Sequence, residues 1–124
     1  MDKVKILLVG CGKMGGALLG GWLDQGIQGT NVHAIEPFQD FAGPFIERGV
    51  TFHNALDDLD ASFAPDFVLF AVKPQMMDDV VPAYARFSGK STFISIAAGK
   101  TIAYFESKLG GTAAIIRTMP NTPA

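Results

Sequence analysis

Three glycines near the N-terminus have the spacing of a turn that binds nucleotide phosphates. Gly10, Gly12 and Gly15 directly follow an unbroken apolar run at residues 6–9, and a helical pattern begins after them. We expect Gly10 to turn the chain sharply off a strand, Gly12 to let backbone approach a ligand, and Gly15 to let a helix pack on that strand. N–H groups at the start of such a helix attract an anion. The pattern therefore predicts a pyrophosphate site.

An acidic residue follows the third glycine at the distance expected for a dinucleotide site. Glu36 lies 21 residues after Gly15, at the end of a second strand pattern. A carboxylate there accepts hydrogen bonds from the ribose hydroxyls of adenosine, and it repels a 2′-phosphate. We therefore predict NAD(P)H as the cofactor and favour NADH. Three alternatives stay open: a glycine turn without a ligand, a solvated acid in a turn, and S-adenosylmethionine as the ligand.

Composition narrows the class of protein. The chain has 124 residues, 48% of them hydrophobic, and a net charge of −2. Nothing in these totals favours a nucleic-acid or membrane partner. The single cysteine, Cys11, allows no internal disulfide and suits the cytoplasm, and we expect it to fill space in the turn. The aspartates at 57, 58 and 60 lack further ligands at useful spacing, so we predict no metal site.

Strand and helix patterns alternate along the whole chain. They predict a Rossmann-type, doubly wound parallel sheet in three α/β/α layers, with ligands beyond the carboxyl ends of the strands. We expect Gly26 to end the first helix and Thr101 to cap the last. Further strands are predicted at residues 31–35, 50–52, 66–72, 92–97 and 113–117, and helices at 13–25, 38–48 (split at 43–44), 74–82 and 101–109.

Polar residues at the strand ends are candidates for the same site. Asn54 follows the third strand, where it either caps a short helix or reaches a ribose; capping is the safer interpretation. Lys73 follows the fourth strand as a candidate general acid, although it could instead close the pocket or meet a phosphate. His33 alternates within a strand and is expected to be a packing or surface residue rather than one that takes part in chemistry. The sequence contains no paired carboxylates and no Ser/His/Asp set, so the catalytic residues are unknown.

Four segments carry a resemblance to a known family: GCGKMGGALLGG at 10–21, AVKPQ at 71–75, ISIAAG at 94–99 and IIRTMPNTPA at 115–124. With them the chain resembles the N-terminal half of pyrroline-5-carboxylate reductase. The resemblance implies reduction of the cyclic imine 1-pyrroline-5-carboxylate to L-proline by hydride from NAD(P)H. It implies cofactor-binding roles for Gly10, Cys11, Gly12, Lys13, Met14, Asn54, Ala71, Val72, Lys73, Pro74, Ala97 and Ala98, in addition to Gly15 and Glu36, which the glycine spacing already indicates. It implies substrate-side roles for Met119 and Asn121; a turn role for Asn121 stays open.

The resemblance also implies which part of the enzyme this chain represents. Members of the family continue with an all-helical domain that forms the dimer and much of the imine pocket. We therefore expect residues 1–124 to be the NAD(P)-binding domain alone, which binds cofactor but turns over little or no imine. Many members prefer NADP, and Glu36-Pro37 departs from their pattern. The alternatives are a stand-alone, non-catalytic module and the cofactor domain of another imine or β-hydroxyacid reductase.

Overall fold

Six parallel strands form one sheet in the computed structural model, which describes residues 3–96, 100–111 and 113–117. Their order across the sheet is β3-β2-β1-β4-β5-β6. The chain thus winds outward from β1 in one direction, returns, and winds outward from β4 in the other. This arrangement confirms the predicted doubly wound α/β fold. The strands are β1 (Ile6–Val9), β2 (Val32–Ile35), β3 (Thr51–His53), β4 (Phe67–Phe70), β5 (Thr92–Ser95) and β6 (Ala114–Arg117).

The central strands are apolar on both faces because helices cover both faces. Along β1, Leu7 and Val9 belong to one buried cluster, while Ile6 and Leu8 belong to another on the opposite face. This alternation follows from the two-residue period of a strand. The sheet is therefore held between two apolar cores, and the ends of its strands are fixed in position.

Within the described residues, four α-helices lie in the connections between strands. Helix α1 packs Leu19 and Leu23 on the face that carries Ile6 and Leu8, and the helix after β5 packs Phe105 on the other face. Thr101 caps that last helix by accepting a hydrogen bond from the Tyr104 N–H at 3.0 Å, which confirms the predicted N-cap. The helices are α1 (Lys13–Asp24), α2 (Gly43–Glu47), α3 (Met77–Val80) and α4 (Ile102–Leu109).

Two predicted helices are shorter in the structure. The helix predicted over 38–48 is confined to Gly43–Glu47, where Pro44 lies in the first turn. After Lys73, a 3-10 turn at Pro74–Met76 precedes α3, and a second 3-10 segment follows at Val81–Phe87. Pro82 lies in the first turn of that segment, and proline has no N–H for the bonds of an α-helix. Most predicted strands also extend one to three residues too far.

The two histidines of the chain meet on neighbouring strands. His33 Nδ1 lies 2.8 Å from His53 Nε2, the planes of the two rings differ by only 6°, and the Phe63 ring lies 4.2 Å from His33, centroid to centroid. His33 is thus a packing residue, as predicted. A hydrogen bond between two imidazoles needs one neutral ring as acceptor. Burial, and then the charge of His53, lower the pKa of His33 below its ordinary value.

This pair makes stability depend on pH. The unfolded chain binds protons at His33 more readily than the folded chain, so stability is full above about pH 6.5 and falls as the pH drops towards the lowered pKa. We expect the free energy of unfolding in urea to be lower at pH 5.5 than at pH 7.5. His33→Gln should flatten that difference, whereas an equal difference in this variant would exclude the pair as its source.

Candidate functional site

The strand order reverses between β1 and β4, and the glycine turn lies at that point. Gly10 follows β1 with a φ of +85°, and a Cβ there would lie 2.7 Å from Val72 Cγ1 and 3.1 Å from the Ala71 carbonyl oxygen. A Cβ on Gly15 would lie 2.8 Å from the Gly10 carbonyl oxygen. The turn is therefore packed directly against the chain leaving β4, in the crevice where doubly wound folds bind ligands.

The outer side of the same turn is open. Gly12 is exposed, and an added Cβ at this position would have no heavy atom within 4 Å. No side chain caps α1, and Gly16 N–H donates to the Gly12 carbonyl at 2.8 Å. The N–H groups at the start of α1, including those of the exposed residues Lys13 and Met14, thus have no partner within the helix. These N–H groups at the start of α1 form an open cradle that fits an anion.

Glu36 is held beside this cradle by two main-chain bonds. Its Oε1 accepts from Cys11 N–H at 2.8 Å, and its Oε2 accepts from Phe38 N–H at 3.2 Å. A carboxylate has about four acceptor positions, so about two remain for a ligand. The arrangement therefore offers backbone donors for a pyrophosphate and, next to them, carboxylate acceptors for two hydroxyl groups.

Cys11 lies inside the turn, and its side chain is completely buried. Burial, and then the nearby negative charge of Glu36, raise the pKa of the thiol to about 12. Because the thiolate is the nucleophile, a thiol of this kind is inert near neutral pH. Cys11 thus fills space, as its small size predicted.

We expect Cys11 in the folded protein to resist labelling by iodoacetamide at pH 8. With a pKa of about 12, only about one thiol in ten thousand is ionised at that pH, and the side chain is buried. Mass spectrometry should find label only after unfolding in urea. Labelling within minutes under native conditions would contradict the buried placement.

Asn54 does not cap the turn that follows it. The N-cap of that 3-10 turn, Leu56–Asp58, is Ala55, and no side chain caps it, so the capping prediction is wrong. Instead, Asn54 Oδ1 accepts from Gln39 Nε2 at 3.0 Å, and the same nitrogen donates to the Glu36 carbonyl at 2.8 Å. Gln39 thus joins the ends of β2 and β3. No periodicity marked it, because its role depends on two strands being neighbours.

The segment after β4 reaches the same edge of the sheet. Ala71 N–H donates to the Val9 carbonyl at 2.8 Å, which extends the pairing of β1 with β4 to the level of the turn. Lys73 and Pro74 follow and are exposed. The structure thus brings the glycine turn, Glu36, Asn54 and the 71–74 segment to one edge. The other predicted site residues, Ala97, Ala98, Met119 and Asn121, lie outside the described residues.

Two further findings concern the described ranges only. No group of three or more His, Cys, Asp or Glu side chains in residues 3–96, 100–111 and 113–117 could hold a metal ion. Within those ranges, none of the helices has the length and apolar character needed to cross a membrane.

The strand order, with apolar cores on both faces of the sheet, defines a Rossmann-type α/β domain. The sequence profile of the family described as "NADP oxidoreductase coenzyme F420-dependent" matches residues 5–99. The chain belongs to that family.

Individual relatives give a more specific similarity than the family profile does. The chain is 33% identical to the pyrroline-5-carboxylate reductase of Vibrio alginolyticus, over 100% of this chain and 46% of that protein. Among solved structures, the pyrroline-5-carboxylate reductase of Coxiella burnetii superimposes with a TM-score of 0.85 at 26% identity, over 98% of this chain and 46% of that one. That of Plasmodium falciparum, with NADP bound, gives 0.82 at 26% identity, over 99% and 44%. The chain thus spans less than half the length of these relatives.

Proposed function

We propose that this chain is the cofactor-binding part of a pyrroline-5-carboxylate reductase. The observation that carries the proposal is the open glycine turn with the Glu36 carboxylate held beside it, at the point where the strand order reverses. The similarity to such reductases along the whole chain supports the substrate class. In this proposal, residues 1–124 form one NAD(P)-binding domain of a homo-oligomeric, cytoplasmic enzyme that reduces 1-pyrroline-5-carboxylate to L-proline.

Each group of the site has a proposed task. The N–H groups at the start of α1 bind the pyrophosphate, and Glu36 accepts from the adenosine ribose. Asn54 and residues 71–74 line the nucleotide, and Ala97 and Ala98 lie near the nicotinamide. Met119 and Asn121 lie on the substrate side.

The bound dinucleotide supplies the hydride, so the task of the protein is to position the cofactor and the substrate rather than to react with them. Hydride transfer needs the nicotinamide ring held about 3 to 3.5 Å from the imine carbon, together with a proton for the nitrogen. A rigid turn packed against β4 suits the first requirement. The proposal names no general acid; Lys73, the candidate after β4, is exposed.

The direct test is titration of the chain with NADH, followed by energy transfer from Trp22, the single tryptophan, to the dihydronicotinamide. We expect saturable binding, together with little or no reduction of 1-pyrroline-5-carboxylate by the chain alone. S-adenosylmethionine is the competing ligand to include. Absence of NADH binding would overturn the proposal. Robust imine reduction would contradict the part of it that limits this chain to cofactor binding.

We also propose that the site prefers NADH, although the Plasmodium falciparum structure contains NADP. Two unit charges about 4 Å apart near a protein surface repel by about 4 kcal/mol. Even a third of that energy weakens binding about tenfold. We therefore expect NADH to bind at least about tenfold more tightly than NADPH. Glu36→Gln should reduce this ratio to about threefold or less, because the amide keeps an acceptor for Cys11 N–H but loses the charge.

Glu47→Gln is the matched control for this comparison. It removes the same charge from an exposed position near the end of α2, so the NADH to NADPH ratio should remain that of the unaltered protein. Equal affinities for the two nucleotides in the unaltered protein would refute the NADH preference.

A further inference from the structure

One large aromatic side chain near the site lies almost entirely in solvent. Phe38 is 77% exposed, more than any other large apolar side chain in the described ranges. Its neighbour Phe41 packs edge-on against Phe52, with ring centroids 6.5 Å apart. Phe38 has no aromatic partner among the described residues. Both faces of an exposed phenyl ring are open to contact, and a ring in this position offers a flat surface on which an aromatic group of a ligand can stack.

The main chain ties Phe38 to the carboxylate of the site. Phe38 N–H donates to Glu36 Oε2, while Oε1 of the same carboxylate holds Cys11 N–H of the glycine turn. The main chain of Phe38 is therefore in direct contact with the carboxylate assigned to the ribose hydroxyls, and its ring belongs to the adjoining residue. The adjacent negative charge disfavours a phosphate over the ring, whereas a neutral, flat group meets no such repulsion.

We propose that Phe38 is the stacking surface for the adenine base of the dinucleotide. The inference rests on the proposed function and deepens it. In adenosine the base is bonded to C1′, the carbon next to the one that carries the 2′-hydroxyl, so a ribose held by Glu36 brings its base to the neighbouring residue. Adenine presents a neutral aromatic face, and bases stack favourably on aromatic side chains.

The test compares ligands with and without the base. Phe38→Ala should weaken binding of NADH and of AMP by about tenfold or more, and should leave the affinity for reduced nicotinamide mononucleotide unchanged, because that ligand has no adenine. Phe38→Trp should retain the affinity for NADH, since indole also stacks. Ile46→Ala, at another exposed apolar residue, controls for loss of surface area and should bind as the unaltered protein does.

The outcomes separate the two proposals. If the unaltered protein binds no NADH, the proposed function fails, and the role of Phe38 fails with it. If it binds NADH and Phe38→Ala binds equally well, only the stacking role is refuted. A parallel loss of reduced nicotinamide mononucleotide binding would also refute it, because the effect would then not depend on the base. Thermal unfolding confirms that each variant is folded.

Discussion

Replacing Gly12 by alanine is expected to weaken NADH binding by at least about tenfold and to leave thermal unfolding unchanged. A Cβ at this position meets no heavy atom of the protein within 4 Å, so the fold has room for it. The same methyl group occupies space that the proposed function assigns to the close approach of backbone and pyrophosphate. Titration by energy transfer from Trp22, combined with a thermal melt, measures both quantities.

Gly21→Ala is the matched control. Gly21 also has no heavy atom within 4 Å of an added Cβ, but it lies nine residues further along α1, about 13 Å from Gly12 at 1.5 Å per residue. There alanine should leave binding unchanged and raise the free energy of unfolding by about 0.5 to 1 kcal/mol, because it favours the helix over the unfolded chain. Unchanged NADH affinity in Gly12→Ala would contradict the proposal that the pyrophosphate binds at the glycine turn.

Replacing Gly10 by alanine is expected to lower the free energy of unfolding by about 2 to 5 kcal/mol, a large part of the total for a domain of this size. Two effects add. The φ of +85° places a side chain in the left-handed region, at a cost of about 1 to 2 kcal/mol. The new Cβ also lies 2.7 Å from Val72 Cγ1 and 3.1 Å from the Ala71 backbone, so the turn must separate from β4. Urea unfolding measures the loss.

Gly26→Ala isolates the first of these effects. Gly26 ends α1 with a φ of +104°, and Ile27 N–H donates to the Trp22 carbonyl at 3.0 Å, as in a Schellman motif. An added Cβ there meets nothing within 4 Å, so only the backbone cost of about 1 to 2 kcal/mol is expected. If Gly10→Ala proved no more destabilising than Gly26→Ala, the turn would not be tightly packed against β4.

Several features of the fold were predictable because they depend on residues close together in the chain. Apolar runs predicted all six strands, and a helical pattern after Gly15 predicted α1. Gly26 and Thr101 marked helix ends, and both act as predicted because caps are local contacts. The same local rules predicted helices that are too long. Residues 38–42, before α2, have helical spacing, yet they form a loop with a turn at residues 40–41.

The candidate site was predictable in outline but not in its contacts. The glycine spacing and Glu36 indicated a nucleotide-binding edge, and the parallel fold brings both to that edge. The use of Glu36 by Cys11 N–H, the bridging role of Gln39 and the exposure of Phe38 had no signal in the sequence. Each depends on the path of the 36–42 loop.

By itself, the sequence determined the succession of strands, turns and helices, since hydrophobic period, glycine and capping residues act within a few positions. Only the tertiary structure decided which distant side chains meet. Glu36 bonds to Cys11 across 25 residues, His33 to His53 across 20, and Gln39 to Asn54 across 15. These pairs exist because β1, β2 and β3 are neighbours in the sheet, and that adjacency arises from packing of the whole chain rather than from any short segment.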